Sequence, residues 1–129
     1  MKPLVEIDPG WKWDDNLSMS QGLQAGSFLY ISGQISLDPD GNLVGRTSMA
    51  EQSRRVFENI AAILERAGAS YRNVVKITAY LTDMTRYAEY SAERTRFFQG
   101  RRPASTTVEV SKLAFDGLLV EVEAIAVLE

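Results

Sequence analysis

The sequence predicts an α+β domain in which two helices pack on one face of a mixed β-sheet. Three observations predict it. Two stretches, opening after Ser48 and Asp83, carry apolar residues at helical spacing. Segments rich in β-formers bracket them in the order β-β-α-β-α-β-β. The gaps between these segments are short, and no repeat or low-complexity linker interrupts them. Residues 1–129 therefore read as a single domain, of a size that commonly folds around one core.

An irregular opening through Trp11 and Trp13 leads to a strand near 18–24, with room for an extra N-terminal strand. Phe28-Leu29-Tyr30-Ile31-Ser32 is a strand sequence, bounded by Gly26 and by the turn Asp38-Pro39-Asp40-Gly41-Asn42. Ser48-Met49-Ala50-Glu51 has the spacing of a capping box. The helix it opens buries Val56, Phe57, Ile60, Ile63, Leu64 and Ala67, and Gly68 suits its end. In the strand over 74–82, Val75, Ile77, Ala79 and Leu81 are expected on one face, with Lys76, Thr78, Tyr80 and Thr82 on the other. Asp83 can cap a helix over 84–99, which Gly100 can end, with Tyr87, Tyr90, Phe97 and Phe98 on its apolar side. Strands near 106–110 and 118–127 close the chain around an Asp116-Gly117 loop. Two helices cover one sheet face only, so self-association is expected at the other.

Composition narrows the chemistry. The chain has no cysteine and no histidine, which excludes disulfides, thiolate nucleophiles, Ser-His-Asp triads and Cys- or His-ligated metals within it. General acid–base work falls to Asp, Glu, Lys, Tyr or water. A net charge of −3 disfavours nucleic acid as a partner. Arg94, Arg96, Arg101 and Arg102 cluster in sequence, but with Glu89 and Glu93 near them they read as a solvated helix face. No apolar run is long enough for a membrane span, and the acidic N-terminus is unlike a secretory signal, so a cytoplasmic location is the expectation.

Glu121 and Glu123 lie two apart on an otherwise apolar strand, so both project from one face. A carboxylate there needs a donor, a cation or water. Either one of the pair activates a water, or the pair is structural, in a salt bridge or at a subunit edge. Residue types alone favour the second. Ser32-Gly33-Gln34 ends a strand, where glycine permits close approach and the serine hydroxyl can meet a ligand; a plain turn is the alternative. Pro103-Ala104-Ser105-Thr106-Thr107 offers an uncharged hydroxyl rim to a strand.

Several landmarks in order resemble the Rid family, also called YjgF. They are Tyr30-Ile31-Ser32-Gly33-Gln34-Ile35, Asp38-Pro39-Asp40-Gly41, Glu58-Asn59-Ile60, Val74-Val75-Lys76-Ile77-Thr78, Leu81-Thr82-Asp83-Met84, Pro103-Ala104 with Val108-Glu109-Val110, and the run Val120–Ala126. The resemblance implies a chorismate-mutase-like fold, a homotrimer with clefts between subunits, and cofactor-free hydrolysis of enamines or imines such as 2-aminoacrylate. By position it implies Ser32 and Gly33 in the cleft, Thr107 offering its backbone where cysteine is frequent, and Glu121 orienting the attacking water.

Three positions depart from the family pattern. Ser105 stands where an arginine holds the substrate carboxylate, Met19 where many relatives have tyrosine, and Ser91 where some have asparagine. Loss of a charged partner in a cleft costs about 2–5 kcal/mol. The expectation is a small-molecule substrate other than 2-aminoacrylate, uncharged at that end, bulkier, or held by a different cation, of which Arg102 is nearest in sequence. Met19 is expected to make the same pocket more apolar. A non-catalytic metabolite-binding trimer is the alternative, and endoribonuclease or translation-inhibitor activity ranks last.

Overall fold

The computed structural model describes residues 4–129. Six strands, β1 (Val5–Ile7), β2 (Gly22–Ala25), β3 (Phe28–Gln34), β4 (Val74–Leu81), β5 (Ala104–Glu109) and β6 (Val120–Val127), form one sheet. The helices are α1 (Met49–Arg66) and α2 (Tyr87–Phe98). The sheet order is β1-β2-β3-β6-β4-β5, antiparallel except for the parallel β4–β5 pair at one edge. The expected α+β architecture holds, and the extra N-terminal strand is present as β1. The element order is therefore the one the sequence suggests, with two helices on a mixed sheet.

Helix α1 starts on Ser48, whose Oγ accepts from the Glu51 amide at 3.0 Å. Only this half of the capping box forms, because the Ser48 amide donates to the Gly45 carbonyl instead. The helix lies over β3 and β6 with α2 beside it. Leu29, Ile31, Val56, Ile60, Ile63, Leu64, Ile77, Val120 and Val122 make the shared core. Buried amides latch loops onto it. Gln52 Nε2 donates to the Gly117 carbonyl at 2.7 Å while its Oε1 accepts from the Leu119 amide at 2.8 Å, and Asn59 Nδ2 donates to the carbonyls of Ile35 and Leu37 at 3.0 Å each. The Glu58-Asn59-Ile60 landmark thus has a physical reason: the asparagine holds the loop that follows β3.

Two local expectations need correction. Val75 is exposed and Val74 is fully buried, because the β4–β6 register shifts between Val74 and Lys76 and a bulge turns Val75 off the core face. The second helix does not begin at Met84. Asp83 Oδ1 accepts from the Thr85 amide at 3.0 Å and caps a 3-10 turn over Met84–Arg86, and α2 proper begins at Tyr87. Gln99 ends it in the left-handed conformation (φ 48°), followed by Gly100. The tryptophans pack within the chain, since buried Trp11 stacks on Trp13 at 5.6 Å beside the Asp38–Asn42 turn.

The face opposite the helices is not covered by any described element. Phe28 and Tyr30 are exposed there, with rings 6.4 Å apart. Thr78, Tyr80, Glu121, Glu123 and Ile125 share that face through the β4–β6 register. This is the surface on which the sequence expects a partner.

Candidate active site

The first cluster of candidate residues grows from a bulge. On β3, Ile31 pairs with Ala124 and Gln34 with Val122, so the partner strand advances two residues while β3 advances three. The extra residue falls at Ser32-Gly33. Gly33 has no side chain to fend off β6, and the Glu121 side chain lies directly on it. A Cβ on Gly33 would overlap the carboxylate, with Glu121 Cδ at 2.8 Å and Cγ at 3.0 Å. Glycine here serves close approach, as the sequence suggests. Ser32 is held too: its Oγ donates to the Ser20 carbonyl at 2.6 Å and its amide to the Gln21 carbonyl at 2.9 Å. The hydroxyl can accept from a ligand, but to donate it must give up that bond. Gln34 is structural, donating to Gln21 Oε1 at 2.7 Å in the interior.

Glu121 is half-buried, and its carboxyl is raised above the usual glutamate range, first by burial and then by the charge of Glu123. No hydrogen bond or cation from the described residues offsets that burial. Glu123 is more exposed and accepts from the Tyr80 hydroxyl at 2.6 Å, which pushes the phenol up from its ordinary value. The two carboxylates share a face, as their spacing requires, but differ in company. Glu123 has a donor, and Glu121 has only Gly33 and solvent.

Met19 stands next to Ser20 and so borders this cluster. It does not make an apolar pocket. The hollow it lines holds Glu6, Asp8, Asp14 and Asp15, and Met19 itself is 48% exposed. Nor does it adjoin Ser105 within one chain. The clustered acids raise Asp14, through burial first and then Asp8.

The second cluster lies elsewhere. In the parallel β4–β5 pair, Ser105 is opposite Ile77 and Thr107 opposite Ala79, so both side chains leave on the helix-covered side. Thr106 faces the open side, where its Oγ1 accepts from Lys76 Nζ at 2.8 Å. Thr107 lies beside the Tyr90 hydroxyl of α2, and Ser91 accepts from Arg94 at 2.9 Å. Thr107 thus meets α2 at Tyr90, Ser105 lies on the same face of β5, and Ser91 lies on α2 beside Arg94. Strand β4 separates them from β6, a span of about 10 Å, and they leave the sheet on the side opposite Glu121. One chain does not bring the two clusters into a common hollow.

The chain matches the endoribonuclease L-PSP family over residues 16–128. The chain belongs to that family. A RutC family protein of Pyrococcus abyssi is 44% identical over 107 residues, covering 83% of this chain and 84% of that protein. The mouse protein named 2-iminobutanoate/2-iminopropanoate deaminase is 37% identical over 108 residues, with 84% and 79% covered. A solved Rid-family structure from Yersinia pestis superposes with a TM-score of 0.91 at 34% identity, over 98% of this chain and all of that one.

In this Rid-family chain the α2 charges are sorted by the helix. They are not one solvated face. Glu93 is buried and pairs with Arg54 of α1 through bonds of 3.1 and 3.3 Å, and Glu89 pairs with Arg86 at 3.2 Å. Arg94 turns the other way, toward Ser91 and the rings of Tyr87 and Tyr90. Sequence reasoning passed over Arg94 because it weighed the run of charges together. The helical period separates them: Glu93 follows Tyr90 and Phe97 toward α1, whereas Arg94 follows Tyr87 and Ser91.

Proposed function

We propose that this chain hydrolyses small imines or enamines in hollows between copies of itself, assembled as a homotrimer. One observation carries the reading: a half-buried carboxylate, Glu121, packs on a glycine with no donor or cation of its own. Such a group is available to a water. As the water oxygen bonds to the imine carbon, Glu121 accepts the water proton. The proton then passes to the nitrogen, the C–N bond breaks as the new hydroxyl gives up its proton to solvent and its electrons form the carbonyl, and ammonia leaves behind a ketone or keto acid. A protonated imine is already electrophilic, so orientation supplies most of what remains. The name of the mouse relative supports the substrate class.

The trimer draws support from the uncovered sheet face and from the division of the candidate residues into two clusters. A neighbour is needed to bring Met19, Ser32, Gly33 and Glu121 against Ser91, Ser105 and Thr107. A neutral Ser105 at the strand edge supports a substrate other than 2-aminoacrylate.

The test is ammonia release from a panel of imines generated in solution from amino acids. Glu121→Gln should lower turnover by about 100-fold or more. No ammonia above background from any imine ends the reading, as does a stable monomer by light scattering. A metabolite that stabilises the protein and emerges unchanged would favour the binding-trimer alternative. RNA cleavage would have to persist through repurification in a chain of net charge −3 without histidine.

A further inference from the structure

The hollow beside the second cluster is cationic, in a chain that is acidic. About 450 Å³ lies between the C-terminal half of α2 and the segment leading to β5, walled by Arg94, Phe98, Arg101, Arg102 and Pro103. No carboxylate lines it. Among the described residues no carboxylate pairs with these three guanidiniums; Arg46, Arg54, Arg55 and Arg86 each sit with an acid, and Arg66, Arg72 and Arg96 do not.

Arg94 is also held in place. Its Nη2 donates to Ser91 Oγ at 2.9 Å, and its Cζ lies 5.6 Å from the Tyr87 ring centroid and 5.5 Å from that of Tyr90. Two aromatic rings and one hydroxyl order the guanidinium while leaving most of its five N–H donors free. Beneath it lies the fully buried Tyr90 hydroxyl, flanked by Arg94 and by Thr107 of β5.

We infer that Arg94 is the anion anchor of the candidate site and takes the substrate carboxylate that the neutral Ser105 cannot hold. The inference rests on the imine-hydrolase reading and names a specificity-determining residue of that site, for imines of α-amino acids that keep their carboxylate. A guanidinium offers a carboxylate two parallel charge-assisted hydrogen bonds. Arg101 and Arg102 add positive potential at the mouth of the hollow, which draws anions toward it and is screened by salt.

The probe is 2-oxobutanoate, a keto acid with oxygen in place of the imine nitrogen, which binds without turnover. Titration calorimetry at fixed ionic strength should show binding to the wild type and, for Arg94→Gln, a Kd raised roughly 30-fold or more. Arg94→Lys keeps the charge without the fork and should fall between them. Arg96→Gln removes a charge from the same helix and should bind as the wild type does. Arg94→Gln combined with Ser105→Arg should regain affinity. In turnover, Arg94→Gln should raise KM for a carboxylate-bearing imine with kcat little changed, and leave KM for an uncharged imine alone. A loss of packing alone would move both.

Melting of the unliganded variants checks the fold. If Arg94→Gln unfolds, the folded lysine variant decides by the same comparison. Absence of 2-oxobutanoate binding to the wild type, or unaltered binding by Arg94→Gln, overturns the inference. Arg94-dependent binding without ammonia from any imine leaves the anchor standing and removes the hydrolase reading. Ammonia release with an unaltered KM in Arg94→Gln does the reverse.

Discussion

The bulge at Ser32-Gly33 and the hollow at the α2–β5 edge treat charge in opposite ways. At the bulge, Glu121 is half-buried with another acid near it and no cation. At the edge, three guanidiniums line one hollow with no acid. Some charges elsewhere are paired: Arg54 reaches a buried Glu93 at 3.1 Å, and Arg86 meets Glu89 at 3.2 Å. Glu121 and the three guanidiniums of the edge hollow do not meet. Here β4 and the sheet itself keep them apart. In the proposed reading each cluster is half of one site, its charges held for a partner from outside the chain. In the proposed trimer that partner is an imine bearing a carboxylate on the adjacent carbon, lying where one copy's edge meets the next copy's open face.

The strongest way to break this comparison is to separate the halves genetically. A preparation of Glu121→Gln alone and one of Arg94→Gln alone, assayed with a carboxylate-bearing imine well below KM, should each lose most activity. Unfolding the two together and refolding them as mixed trimers should restore activity toward about a quarter of wild type, since that fraction of random interfaces carries both intact halves. No recovery, with mixed trimers verified by mass, would mean that both clusters serve one subunit or that they serve different purposes. Next in size is Gly33→Ala. The added methyl would occupy the place of the Glu121 carboxylate, so the acid must swing away. A displacement of about 1 Å can cost about 100-fold in rate. The measurement is kcat/KM beside a melting curve. An active Gly33→Ala protein would sever Glu121 from the chemistry.

The fold was legible in the sequence because the signals that carry it are local. Helical spacing from Val56 to Leu64, alternation along Val120–Val127, and glycine and proline at the turns each state their element without help. Misreadings arose where tertiary contacts overrule the local period. The bulge at Val75 cannot be seen in an alternating string, and the 3-10 turn at Met84 depends on how Asp83 meets the Thr85 amide. The site was legible residue by residue and not as an assembly. Glu121, Gly33 and Ser32 gather as their positions suggest, whereas Ser105 and Thr107 share a strand face turned away from them. Arg94 was hidden by its neighbours in sequence: four arginines and two glutamates in one short stretch look like solvated charge until the helix distributes them.

The smallest effect tests whether Glu121 is as unsupported as it looks. Its carboxyl is raised in the folded chain by burial and by Glu123, so the folded state binds a proton more readily than the unfolded one. Below the ordinary glutamate range both states are protonated and no penalty exists. As pH rises through the raised value, the folded state must carry a half-buried charge, and that part of the stability is lost. Glutamine never acquires the charge. Glu121→Gln should therefore stabilise the protein slightly at pH 7, the effect being reduced by solvent screening of a half-exposed group, with the gain shrinking toward zero near pH 4. The check is denaturant unfolding of both proteins at the two pH values, with the oligomer held constant. In turnover, the acid limb of the wild-type pH profile should lie above the ordinary glutamate range. If Glu121→Gln destabilises at pH 7 instead, a donor or cation from the neighbouring copy already holds the carboxylate. The acidic half would then be satisfied by the assembly itself, leaving the α2–β5 hollow as the sole place where charge waits for a ligand.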